Sequence, residues 1–129
     1  MNIEPVILEG KQVRLEPLSM AHHADLCEVG LAEQLWTLIP SQVKTPDDMA
    51  DYIALALAGQ EKGDMLPFAT IDRVSGKAVG STRYCAIDAA NKKTEIGWTW
   101  IASEFQRTFV NTEAKYLMLK HAIIHAINH

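Results

Sequence analysis

The sequence predicts an α+β fold: a single domain over residues 1–129 in which helices flank a mixed or antiparallel sheet, in the order β-α-α-β-β-β-α. Three observations carry this. Segments at 13–17, 66–72, 78–87 and 94–102 have strand character. Capping residues at Ser19 and Thr45 announce helices between the first strand and the rest. The last three strands are joined by connections too short for a crossover, which makes them antiparallel hairpins.

Each element has a local cause. Glu9-Gly10-Lys11 reads as a turn. Val13-Arg14-Leu15-Glu16-Pro17 alternates with period two and is stopped by its proline. Ser19 is an N-cap for a helix over 20–29 that Gly30 ends. Residues 31–44 are expected to be irregular, anchored by Trp36, Leu38 and Ile39. Thr45-Pro46-Asp47-Asp48 opens the second helix with a hydroxyl cap, proline at the first position and acids that the helix dipole favours. That helix runs to about Gly59 or Gly63. Strands over 66–72, 78–87 and 94–102 follow, with turns at 73–77 and 88–93. A final helix spans 111–127 and is apolar around most of its circumference, so it expects cover on more than one side.

Composition narrows the function. Apolar residues make up 48% of the chain, enough for a core, and the formal net charge is −4. No basic patch stands out, so a nucleic-acid partner is not expected. The N-terminus lacks a signal-peptide pattern, and no apolar run approaches the ~18–20 residues of a membrane span, so no membrane partner is expected either. With Cys27 and Cys85 as its two cysteines, the chain reads as a cytoplasmic protein with reduced thiols. His121, His125 and His129 recur every four residues. His121-Ala-Ile-Ile-His125 lacks the glutamate of a metalloprotease helix, so the stripe is read as polar surface and no metal is expected.

The stretch 95–120 carries the chemistry. An aromatic strand enters a polar loop that opens directly into a helix. The first amides of a helix have no partner inside it and sit at the positive end of the dipole, so such a junction binds anions. Backbone amides over 106–112, with the Arg107 charge and the Thr108 hydroxyl, form the candidate diphosphate grip; an ordinary helix cap with a solvated arginine is the plain alternative. Trp98 and Trp100 are two apart and therefore share a face of a regular strand, as the wall of a substrate pocket or as core.

At Thr94-Glu95-Ile96-Gly97-Trp98, Phe105-Gln106-Arg107-Thr108-Phe109-Val110-Asn111-Thr112 and the opening 10–26, the chain resembles the GNAT N-acetyltransferases, in particular the branch with the ribosomal-protein N-acetyltransferases. The resemblance covers nearly the whole chain. It implies a GNAT-like sheet and a substrate, acetyl-CoA, whose pyrophosphate is held by Gln106, Arg107, Thr108, Phe109, Val110, Asn111 and Thr112. It implies that main-chain groups of Thr99, Trp100 and Ile101 pair with the pantetheine arm. Acetyl would pass directly to a primary amine of a protein N-terminus or small molecule. Glu95 is the candidate base that takes the ammonium proton, and Tyr84 a candidate acid or hydrogen-bond donor. Trp98 and His22 are candidates for the acceptor site, although His22 and His23 are expected to be exposed.

The family pattern has glycines where this chain has Phe109 and Asn111, and the bulk of Phe109 is expected to crowd the diphosphate. On the same resemblance the chain stops after the cofactor-loop helix, before the closing part of the fold. That leaves an open strand edge beside an apolar helix, so a homodimer or higher oligomer is expected. The competing expectation is a truncated, catalytically silent relative that self-associates.

Overall fold

The computed structural model describes residues 4–36, 39, 42–88 and 90–128. Its centre is β3 (Leu66–Asp72), every residue of which is buried. The sheet runs β1 (Leu8–Glu9), β2 (Val13–Pro17), β3, β4 (Ala78–Asp88), β5 (Lys93–Ile101), and every neighbouring pair is antiparallel. Alternation along β3 sorts its side chains to two faces. Ala69 and Ile71 join the core beneath α1 (His23–Gly30) and α2 (Pro46–Lys62). Leu66 and Phe68 join the core beneath α3 (Phe109–Asn128), with Val110, Ala114 and Met118. The result is three layers, with a sheet between helices.

The α2 start is built as its sequence requires. The Thr45 hydroxyl accepts from Asp48 N at 3.1 Å, and Asp48 Oδ2 accepts from Thr45 N at 3.2 Å. Gly63, at φ 82°, ends the helix in the left-handed conformation that glycine adopts without cost. Other boundaries shift. Leu8–Glu9 pairs with β2 as a short edge strand where only a turn is expected. Residues Met20–His22 form a 3-10 turn before α1, because the His22 ring reaches back to Ser19. A second 3-10 turn covers Glu33–Trp36 in the stretch expected to be irregular. Trp36 is buried and Ile39 packs against the same core, while Leu38 lies outside the described residues. Helix α3 opens at Phe109, two residues before the expected start, so the loop in front of it is shorter.

Three irregularities shape β4 and β5, one of them between Cys85 and Asp88, where Ala86 stands at φ 49°. Thr70 faces Gly80 and Ile71 faces Ala78, which leaves Val79 as an extra residue. Ser81 faces Trp100 and Arg83 faces Gly97, so Thr82 stands opposite both Trp98 and Thr99. This second bulge holds Trp98 at φ 52°. It also breaks the alternation of β5. Ile96 packs on the α3 side and Trp98 on the α1/α2 side, although they are two apart. Faces therefore cannot be counted from Glu95 to Trp98 as along a regular strand.

Candidate active site

The junction between β5 and α3 is built in three steps. Ser103–Phe105 makes a 3-10 turn, Gln106 is extended, and Arg107 turns the chain at φ 63°. The left-handed residue is thus Arg107, while Phe109 and Asn111 lie within α3, where no unusual φ is needed. Thr108 caps the helix: its hydroxyl accepts from Val110 N at 3.3 Å and donates to Phe105 O at 2.6 Å. Helix geometry gives the amides of Phe109 and Asn111 no carbonyl partner, while that of Thr112 makes the first helical bond, to the capping residue. The first turn contains no acid, and Arg107 and Thr112 are exposed. Phe109 is 73% exposed, so its ring projects into solvent instead of folding into the turn. The junction leaves the amides of Phe109 and Asn111 without a helix carbonyl and sets the Arg107 charge in the turn before them.

The strand that feeds this junction has a free side. Among the described residues β5 pairs only with β4. Ala102 N donates to Val79 O at 2.8 Å, and Gln106 Nε2 donates to the Ile101 carbonyl at 3.4 Å. Trp100 is buried against Trp36, and the Thr99 hydroxyl meets that of Thr82 at 2.8 Å. Gly80 lets the two strands approach here, since a Cβ on it would stand 2.4 Å from the Trp100 carbonyl oxygen. Thr99, Trp100, Ile101 and the 106–112 loop are therefore continuous along one edge, with Trp98 at its bulge.

The remaining candidates are placed elsewhere. Glu95 is exposed and opposite Cys85, and it lines a groove of about 600 Å³ between the β4–β5 hairpin and Leu119, Ala122 and Ile123 of α3. Burial pushes the Cys85 thiol up, and the Glu95 charge adds to this. Tyr84 is fully buried, stacked edge-on against Phe68, and its hydroxyl donates to Met118 O at 2.5 Å. Burial pushes its pKa well up. This placement gives Tyr84 a packing role, fastening α3 to the sheet.

His22 corrects the expectation of an exposed pair. It is half-buried, with Nδ1 accepting from Ser19 N at 3.1 Å and Nε2 facing Glu16 Oε1 at 2.9 Å. The His22 contact is also the main reason the Glu16 carboxyl lies below its ordinary value. Two strands separate this cluster from β5, so His22 does not join the edge site. His23 is half-buried as well, with Nε2 2.8 Å from Pro46 O. In the histidine stripe, His121 sits beside Tyr84, while the His125 side chain and His129 lie outside the described residues. Cys27 and Cys85 are free thiols. Among the described residues no helix is long and apolar enough to cross a membrane.

Two features escaped the sequence reading. Glu113, one turn into α3, accepts from Gln12 N at 2.7 Å and Val13 N at 2.9 Å, tying the start of α3 to the β1–β2 turn. Arg83 is buried in β4 between aromatic rings. Its signal was an arginine within an otherwise apolar and small-residue strand.

Residues 12–128 match the acetyltransferase (GNAT) domain. The chain belongs to the GNAT acetyltransferase family. A GCN5-related N-acetyltransferase from Brucella melitensis is 33% identical with a TM-score of 0.83, over 93% of this chain and 55% of that one. A probable GNAT acetyltransferase from Chromobacterium violaceum is 25% identical with a TM-score of 0.84, over 95% and 62%. The Salmonella typhimurium acetyl transferase that modifies the N-terminal serine of a 50S ribosomal subunit protein shares the fold alone, at 16% identity and TM-score 0.78, over 93% and 69%. No curated protein matches. The chain spans 55% to 64% of the length of the first solved GNAT structures it matches.

Proposed function

We propose that the chain transfers acetyl from acetyl-CoA to a primary amine. The observation that carries this reading is the β5–α3 junction. An uncovered strand edge runs into a turn set by Arg107, and the turn delivers two unpaired helix amides. In this reading the amides of Phe109 and Asn111, with Arg107 and the exposed Thr112 hydroxyl, grip the diphosphate. Gln106, Thr108 and Val110 shape the turn, and main-chain groups of Thr99, Trp100 and Ile101 orient the thioester arm. The bulge at Trp98 supports this, because an extra strand residue leaves ladder groups without partners.

The chemistry needs no covalent enzyme intermediate. The neutral amine attacks the thioester carbonyl, the C–N bond forms, the C–S bond breaks and coenzyme A leaves as thiolate. Glu95 is our candidate to take the amine proton, directly or through water, and Trp98 our candidate wall for the acceptor. Tyr84 and His22 take no part, because both rings are committed to structural partners. The two free cysteines suit a reducing compartment, and a cytoplasmic site of action goes with the reading.

We also propose self-association. Tyr116, Leu119, Ile123 and Ile124 are exposed on α3, and a second copy covering them beside the β5 edge would remove an aggregation-prone surface. Sedimentation at micromolar concentration yielding a single 14.3 kDa species would remove this part. For catalysis, thiol release from acetyl-CoA is followed with a panel of primary amines. We expect release that Glu95→Gln slows about 100-fold or more. Equal rates in the Gln variant would strip Glu95 of its role, and no release with any amine would sink the activity.

A further inference from the structure

Among the described residues, the core under α1 and α2 contains a cation with no counter-charge. Arg83 is 2% exposed. Its guanidinium lies between two rings, 4.5 Å from the Trp98 centroid and 5.2 Å from that of Tyr52. Nη1 reaches the Met65 thioether, 3.2 Å from Sδ, a weak acceptor. Nε and Nη2 are buried with no hydrogen-bond partner among the described residues. Glu95, two register pairs along, makes no ion pair with it.

The neighbouring unmet groups are donors too. The Tyr52 hydroxyl and Trp100 Nε1 are buried without partners. The Trp36 ring connects them, 5.0 Å from the Tyr52 ring and 5.2 Å from that of Trp100. Gln60 Oε1, also buried and unpaired on α2, is bonded to none of them. Interiors pair nearly all such groups, and an unpaired buried charge is the costliest exception. Arginine cannot escape by losing its proton. A fixed cation with two unmet N–H donors is complementary to an anion.

The free edge specifies which anion. Nε and Nη2 lie side by side on one edge of the guanidinium, the edge that grips a carboxylate with two parallel bonds. Two rings pack against the guanidinium, and Met65 takes the remaining nitrogen. The groups touching Arg83, namely Tyr52, Trp98 and Met65, bring no second cation, which favours a planar monoanion over phosphate. Trp98 is the half-buried member of the stack and therefore the side of entry.

We propose that Arg83 receives a carboxylate on the acceptor, so that the amine acetylated is that of a free amino acid or similar small amino carboxylate. The inference rests on the acetyl-transfer reading above. Its placement fits that reading: Trp98, which covers Arg83, is the bulge residue beside Thr99, where the thioester arm is proposed to lie.

The test titrates the chain, with and without coenzyme A, with the common L-amino acids, with phenylalaninamide and phenethylamine, and with inorganic phosphate. The readouts are heat and the NMR resonance of the Arg83 Nε–H group. We expect one or more amino acids to bind saturably and move that resonance, and the amide and the decarboxylated amine to leave it in place. Arg83→Met should weaken amino-acid binding about 10- to 100-fold. It should melt no lower than the parent chain, because it removes an unpaired buried charge. Arg83→Lys, which keeps the charge and loses the fork, should bind weakly. Phosphate alone filling the site, amino-acid binding unchanged in Arg83→Met, or no carboxylate moving the resonance would overturn the proposal. Coenzyme A failing to bind while amino acids still move it would end the transfer reading and uphold the carboxylate site.

Discussion

Replacing Glu113 by alanine tests how the start of α3 is held in place. Its Oε1 accepts from Gln12 N at 2.7 Å, an exposed amide, and from Val13 N at 2.9 Å, a partly buried one. A hydrogen bond to a charged acceptor contributes about 1.5–3 kcal/mol when its donor cannot be rehydrated, and about 0.5 kcal/mol when it can. Counting the Val13 amide in the first class and the Gln12 amide in the second gives a loss of about 2–3.5 kcal/mol. Glu113→Gln keeps an acceptor oxygen and should lose about 1 kcal/mol. Burial alone would raise the Glu113 carboxyl, but the amides of Gln12 and Val13 outweigh it and hold the group below its ordinary value of 4.5. A depressed carboxylate contributes its stability above the unfolded pKa and loses it as pH falls through the folded one. The gap between parent and Gln variant should therefore be full near neutrality and close in acid. Urea unfolding followed by circular dichroism measures both points, and coenzyme A affinity should fall several-fold in Glu113→Ala as the cradle loosens. A change below ~0.5 kcal/mol, or a gap that persists in acid, would refute the tether.

Three further outcomes follow from the same geometry. Tyr84→Phe takes away the second donor of the Met118 carbonyl, which keeps its bond within the helix, so urea unfolding should report a loss of about 0.5–1.5 kcal/mol, with faster amide exchange along α3. Arg107→Gly relieves a left-handed side-chain residue, so the variant should gain about 1 kcal/mol while binding coenzyme A more weakly, read by unfolding and calorimetry on one preparation. Gly80→Ala sets a Cβ 2.4 Å from Trp100 O and 3.0 Å from Ile101 Cα, both backbone atoms; it should cost about 2–3 kcal/mol and shift the β5 backbone signals in NMR spectra.

Much of the fold was legible because local and tertiary demands agree. Thr45-Pro46-Asp47-Asp48 has one use, and it starts α2. The hairpins of β3, β4 and β5 follow from their short connections. The strand–loop–helix order leading into α3 was legible, but the inner detail of the loop was not. Glycine at family positions drew attention to Phe109 and Asn111, whereas the chain places the left-handed turn at Arg107 and starts the helix sooner. The bulge at Trp98 was invisible, since period-two counting assumes a regular ladder, and that assumption misaligns Glu95. Contacts far apart in sequence were also beyond reach: Glu113 with Gln12, and Arg83 with Tyr52, are set by packing and leave no local pattern.

The direct measurement is a calorimetric titration of coenzyme A into the chain and into Arg107→Glu. A single micromolar site that charge reversal weakens at least about tenfold is the predicted result. Heat absent to millimolar coenzyme in a folded parent chain, or affinity indifferent to the reversed charge, would contradict a diphosphate cradle at the mouth of α3.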